Sequence, residues 1–235
     1  MSLPDFTPSP NQAGDPDLYD VENAAIDHEG TLWRALRDQA DWRGKTLLDL
    51  GCGSGWWLPR CHDAAGVIGV EPDPSLLGRA RSRPGGGRVL HGSAEHIPLD
   101  DSSVDVVHAR FAYFFPHPTF TPIAGLREVE RVLADGGTLV VIDNDTERGE
   151  FADLLRSSAY AELQGRDTYA RDWWASQGAR TTEVMSSWQF DCRQDLERVL
   201  RMEFPRDLAD VWLSAHPDST HLSYGYLLHR WTPRG

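Results

Sequence analysis

Two rhythms of apolar and polar positions alternate through the middle of the chain. Short apolar runs recur at Thr46–Leu50 (TLLDL), Gly66–Glu71 (GVIGVE), Arg88–His91, Val104–Ala109 (VDVVHA) and Thr138–Asp143 (TLVVID). Each is four to six residues long and bounded by turn residues, so each predicts a buried strand. Between them the spacing becomes helical. Asp73-Pro74 offers a cap and a first-turn proline before SLLGRARS. Thr121-Pro122 repeats that start, and Leu126, Val129, Val132 and Leu133 form one apolar face, which Asp135-Gly136-Gly137 is expected to end. Continuous apolar strands alternating with helices predict a doubly wound, mostly parallel sheet with helices on both faces.

The flanks follow other patterns. Residues 1–18 hold four prolines (Pro4, Pro8, Pro10, Pro16) and little to pack, and read as a flexible arm. Residues 19–44 read as an N-terminal helical cap, with Ile26, Leu32, Trp33, Leu36 and Ala40 apolar, a break near Gly30 and a stop at Gly44. Residues 45–235 read as one α/β domain. Its later part is expected to hold helices over 151–163, 166–177 and, as a pair, 193–215. Strands are expected at 181–191 and 220–231.

Composition narrows the function. The 235 residues carry a net charge of −13 and 40% hydrophobic residues. The acidity argues against nucleic acid as the main partner, because phosphate neutralisation needs excess Lys and Arg. No apolar run reaches the ~18 residues of a membrane span. The first residues have neither a basic start nor an apolar stretch, which argues against a secretory signal. Cys52, Cys61 and Cys192 show no paired C-x-x-C spacing, so neither a disulfide scaffold nor a zinc ribbon is expected, and a reducing cytoplasm is the natural setting.

The most informative stretch is LLDLGCGSGWW, residues 47–57. Glycines 51, 53 and 55 allow close backbone approach to a ligand, and a helix starting near Pro59 would offer free amides to an anion. Glu71 follows Gly51 by 20 residues, at the end of the second apolar run, where a carboxylate can accept hydrogen bonds from both hydroxyls of a ribose. A dinucleotide fingerprint needs a third glycine at position 56 for close helix packing, and that position is Trp. The indole counts against a pyrophosphate clamp and not against an adenosine ligand that lacks one.

At these residues the chain resembles the class I S-adenosylmethionine-dependent methyltransferases. The resemblance rests on LLDLGCGSG (47–55), GVEPDPSLLGRAR (69–81), GSAEHIPLDDSSVDVVHARFAYFF (92–115) and LREVERVLADGGTLVVID (126–143), in the family's order and spacing. It implies a Rossmann-like sheet of seven strands with the last antiparallel, and S-adenosyl-L-methionine as cofactor, leaving S-adenosyl-L-homocysteine. By position it implies that Asp49, Gly51, Cys52 and Gly53 surround the methionine end, largely through backbone. Glu71 would hold the ribose with Pro72 beside the adenine, Ser93, Ala94 and Glu95 would meet the adenine edge, and Ala109 and Arg110 would sit near the sulfonium. It also makes 45–235 a methyltransferase domain.

For the chemistry, His117 and Asp143 are the candidate catalytic groups, with His108 a further candidate base near neutral pH. Asp143-Asn144 resembles part of the magnesium site of catechol O-methyltransferases, but Arg110 stands where that site needs an acid. No metal is therefore expected, and an Arg110–Asp143 ion pair is. Tyr19 and the acidic segment Asp15–Glu29 are expected to form a lid. Arg79, Arg81, Arg83 and Arg88 read as a solvated helix end. The expected activity is methyl transfer to a small organic acceptor, an aromatic natural product among the options. An NAD(P)-dependent oxidoreductase and a non-catalytic cofactor-binding partner subunit remain as alternatives. Oligomeric state is left open.

Overall fold

The computed structural model describes residues 3, 6, 14–158 and 166–233. Most of the expected arm, and residues 159–163 of one expected helix, lie outside the described residues.

Two helices, α1 (Pro16–Ala25) and α2 (Thr31–Gln39), precede β1 (Thr46–Leu50). The core then runs through a 3₁₀ turn (Leu58–Cys61), β2 (Gly66–Glu71), α3 (Pro74–Ser82), β3 (Arg88–His91), β4 (Val104–Arg110), α4 (Ile123–Val132) and β5 (Leu133–Asn144). The last part holds α5 (Glu150–Ser157), α6 (Arg166–Ser176), β6 (Arg180–Gln189), α7 (Arg193–Glu203), α8 (Arg206–Ala215) and β7 (His221–Trp231). All seven strands form one sheet in the order β3-β2-β1-β4-β5-β7-β6. The first five pair in parallel, and β7 runs antiparallel to both β5 and β6. This is the expected doubly wound sheet with its last strand reversed.

Side-chain alternation along the strands separates two cores. Leu47, Val106, Val140 and Ile142 pack with Trp42, Trp57, Phe151 and Trp188 on one face. Leu48, Leu50, Val107 and Val141 pack with Leu126, Val129 and Trp174 on the other. The N-terminal helices belong to the first core, where Leu32 and Leu36 are each 1% exposed. Burying such a side chain stabilises by about 1.5–3 kcal/mol, so α2 is held firmly against the sheet.

Three local expectations differ from the structure. Asp73 caps α3 as expected, its Oδ1 accepting Ser75 N–H at 2.8 Å, but Thr121 does not cap α4, whose N-cap is Pro122. β5 begins at Leu133 rather than Thr138, because residues 134–137 bulge between the Val104–Leu133 and Val106–Thr138 pairs. The helix expected from Pro59 shrinks to the 3₁₀ turn, which begins only seven residues after Gly51 and carries proline in its first turn. Among the described residues no helix is long and apolar enough to cross a membrane.

Candidate active site

β1 delivers the chain to the carboxyl edge of the sheet, where it turns sharply. Gly51 takes φ +80° while its N–H and that of Cys52 donate to Val70 O on β2, at 2.8 and 3.1 Å. A β-carbon at Gly51 would lie 2.7 Å from Ala112 Cβ and 3.1 Å from the Tyr113 ring, so the loop after β4 touches the glycine backbone directly. Cys52 turns its thiol into the protein beside Gly69, where burial pushes it up well above the ordinary thiol range, and offers only its backbone. With no α-helix starting at the loop, the helix-dipole anion site expected from sequence is not formed.

Glu71 closes over this turn from the end of β2. Its Oε2 accepts Gly53 N–H at 2.7 Å and its Oε1 accepts Asp73 N–H at 2.8 Å. Burial outweighs both hydrogen bonds and raises its pKa to about 7. Each oxygen retains a lone pair, so donors such as two ribose hydroxyls would favour the charged form. Pro72 is buried next to it, its carbonyl 3.1 Å from His91 Nε2.

Asp49 is 1% exposed, and neither of its carboxylate oxygens makes a hydrogen bond. Arg110 Nη2 lies 3.5 Å from Oδ2 and His108 Nδ1 3.8 Å from Oδ1. An orphaned buried carboxylate beside the glycine turn fits an ammonium group such as the amino end of methionine. Arg110 therefore pairs with Asp49 and not with Asp143 as expected. β4 and β5 register Arg110 opposite Ile142, which places Arg110 and Asp143 on opposite faces. The guanidinium also lies 4.5 Å above the Trp57 ring. His108 packs against Trp42, and burial lowers its pKa to about 4, so it is neutral at pH 7 and a poor general base there.

Ser93 and Ala94 are buried after β3, and Ser93 and His96 exchange backbone hydrogen bonds at 3.2 Å. Ala94 and Glu95 line a cavity of about 490 Å³ with His96, Tyr113, Phe114 and Phe120. Tyr113 joins this cavity to Gly51, so the 93–95 loop and the glycine turn belong to one site. Phe111 and Tyr113 both adopt left-handed backbone, φ +49° and +61°, a strained state for aromatic residues. Ala109 is fully buried in β4. His117 sits in the turn beyond, its Nδ1 2.9 Å from Thr119 Oγ1. Asp143 accepts Asn144 N–H at 2.7 Å at the tip of β5. Neither touches the glycine turn. Among the described residues no cluster of three His, Cys, Asp or Glu side chains could hold a metal.

Several residues at the site escaped the sequence reading. Asp20 on α1 accepts Ser54 Oγ–H at 2.7 Å and forms ion pairs with Arg83 and Arg79. Arg83 donates to Ser54 O at 3.1 Å and lies 4.7 Å from the Trp56 ring, so it is part of the loop's frame rather than a solvated helix end. Asn23 accepts Trp57 Nε1–H at 3.2 Å. The acidic segment thus covers the loop through side chains whose partners lie far off in sequence.

Comparison with known proteins agrees with this geometry. Residues 48–141 match the family described as a methyltransferase domain. An uncharacterized methyltransferase of Mycobacterium tuberculosis is 36% identical over 124 residues, 52% of this chain and 48% of its own length. The demethylmenaquinone methyltransferase of Lactococcus lactis is 31% identical over 137 residues, 53% of each chain. The chain thus spans about half the length of the curated relatives it matches. Among solved structures, a chain from the Haloferax volcanii complex between the Trm112 methyltransferase activator and a putative methyltransferase aligns over 94% of this chain and 98% of its own. It does so with a TM-score of 0.57 and 23% identity, a likeness of fold.

Proposed function

We propose that this chain, which carries a class I S-adenosylmethionine-dependent methyltransferase domain, moves a methyl group from that cofactor to a small organic acceptor. The observation that carries the reading is Glu71, a buried carboxylate at the end of β2 held over the glycine turn by Gly53 N–H at 2.7 Å. When bound, the cofactor supplies an electrophilic methyl group on a sulfonium.

The chain's own residues bind and orient. Asp49, with its unsatisfied oxygens, receives the amino group of the methionine moiety, and Gly51, Cys52 and Gly53 give it backbone contact. Glu71 orients the ribose. Pro72, Ser93, Ala94 and Glu95 frame the adenine end, next to the cavity that Tyr113 shares with Gly51. Arg110, fixed by Asp49 and Trp57, brings a positive charge to the same pocket and so repels a metal ion. Transfer then rests on placing a nucleophile in line with the methyl group, where proximity supplies much of the rate.

A small acceptor accords with the net charge of −13 and with the substrate that the Lactococcus relative's name gives. The dinucleotide alternative loses ground because Trp56 occupies the third glycine position and only a 3₁₀ turn follows the loop. Calorimetric titration with S-adenosyl-L-homocysteine tests the reading.

A further inference from the structure

A second polar cluster lies beside the tip of β5, outside the residues assigned to the cofactor. Glu22 of α1 is 7% exposed and faces the Glu203 carboxyl at the end of α7. Tyr224 and Tyr226 stand in succession on the same side of β7 with ring centroids 4.4 Å apart, and the Tyr224 hydroxyl donates to Asn144 Oδ1. Phe111, which follows Arg110, holds its ring 6.4 Å from Tyr224 and 6.0 Å from Tyr226. Trp188 closes the far side, 5.3 Å from Tyr224.

Three buried polar atoms here have no hydrogen-bond partner: Glu22 Oε2, the Tyr226 hydroxyl and Trp188 Nε1. Each belongs to a side chain more than nine-tenths buried. Leaving one such atom unsatisfied costs about 1–3 kcal/mol, so several together mark a place for a group with hydrogen bonds to give. The electrostatics are one-sided. Burial first, then Glu203, raises the Glu22 carboxyl well above its ordinary range. Burial first, then Asp27 and Glu22, raises the Tyr226 hydroxyl. The surroundings resist negative charge and favour a cation.

We propose that this aromatic-walled acidic cluster receives the acceptor as a protonated organic amine, its N–H groups directed at Glu22 Oε2 and the Tyr226 oxygen. The inference rests on the methyl-transfer reading and names its acceptor class. The faces of Phe111, Tyr224, Tyr226 and Trp188 attract a cation and give nothing comparable to a neutral hydroxyl. An anionic acceptor would meet Glu22 and Glu203 at close range. Phe111 connects the cluster to the cofactor side, being one residue from Arg110 and two from Tyr113, which borders Gly51.

The test titrates the full chain, saturated with S-adenosyl-L-homocysteine, with benzylamine, 2-phenylethylamine and butylamine, and with the matching alcohols. At least one amine is expected to bind ten-fold or more tightly than its alcohol. Glu22→Gln should bring that ratio close to one while leaving affinity for S-adenosyl-L-homocysteine unchanged, and Tyr226→Phe should reduce it by a smaller factor. Retained S-adenosyl-L-homocysteine binding shows that each variant is folded. No preference for any amine, or a preference untouched by both substitutions, overturns the inference and leaves the cluster as a site for water. Failure of the unaltered chain to bind S-adenosyl-L-homocysteine would defeat the methyl-transfer reading itself, a distinct outcome.

Discussion

Asp20 on α1 accepts a hydrogen bond from Ser54 Oγ at 2.7 Å, and the same carboxylate pairs with Arg83 at the end of α3. The N-terminal helix is thereby latched onto the glycine loop. Asp20→Ala removes the latch while Asn23 still holds Trp57. We expect S-adenosyl-L-homocysteine to bind roughly 3–10-fold more weakly, with a stability loss of about 1–2 kcal/mol in chemical unfolding. Unchanged affinity would detach α1 from the site.

Glu71 gives the site a pH dependence. Its folded pKa of about 7 exceeds the ordinary carboxylate value of 4.5, so the folded chain binds the extra proton between these limits. Stability of the ligand-free protein therefore falls as pH rises through that window, by on the order of 3 kcal/mol in total. Ribose hydroxyls favour the charged form, so affinity for S-adenosyl-L-homocysteine should rise roughly tenfold per pH unit below 7 and level off above it. Glu71→Gln should bind at least tenfold more weakly at pH 8 and lose both slopes. Calorimetry and unfolding across pH 5–8 read the two effects separately.

Gly51→Ala probes the close approach. The new methyl group would meet Ala112 Cβ at 2.7 Å, on a backbone at φ +80°. We expect about 1–3 kcal/mol of lost stability and a loss of cofactor binding out of proportion to it. Thermal unfolding with and without S-adenosyl-L-homocysteine distinguishes the two, since binding raises Tm only where the site survives.

Arg110 makes a prediction about metal. Its guanidinium, 3.5 Å from Asp49, occupies the carboxylate that a cation would seek. Turnover should survive EDTA with less than a twofold change. Magnesium-dependent turnover abolished by EDTA would contradict the assignment of Arg110.

The parts of the fold that were legible in sequence are those set by local pattern. Five apolar runs became five parallel strands, because strands buried on both faces leave little room for polar residues. β5 was misjudged at its start because Gly136-Gly137, a common helix stop, serves here in a bulge. Pro59 marked where helix was unlikely to be regular, but not that only a 3₁₀ turn would form. At the site, glycines and acids were visible as a motif, whereas the Asp20–Arg83 pair joins residues 63 apart and leaves no local signal. Arg110 was assigned the wrong partner because two residues near the ends of adjacent strands look close in sequence logic. The strand register puts Arg110 on the face of Asp49 instead.

The central claim is that the turn from Asp49 to Gly53, closed by Glu71, holds S-adenosylmethionine. Calorimetric titration of the full chain with S-adenosyl-L-homocysteine, with NAD and NADP in parallel, tests it most directly. The account predicts micromolar or tighter binding of S-adenosyl-L-homocysteine and none of either nicotinamide cofactor. Binding of NAD or NADP in its place, with S-adenosyl-L-homocysteine inert, would contradict it.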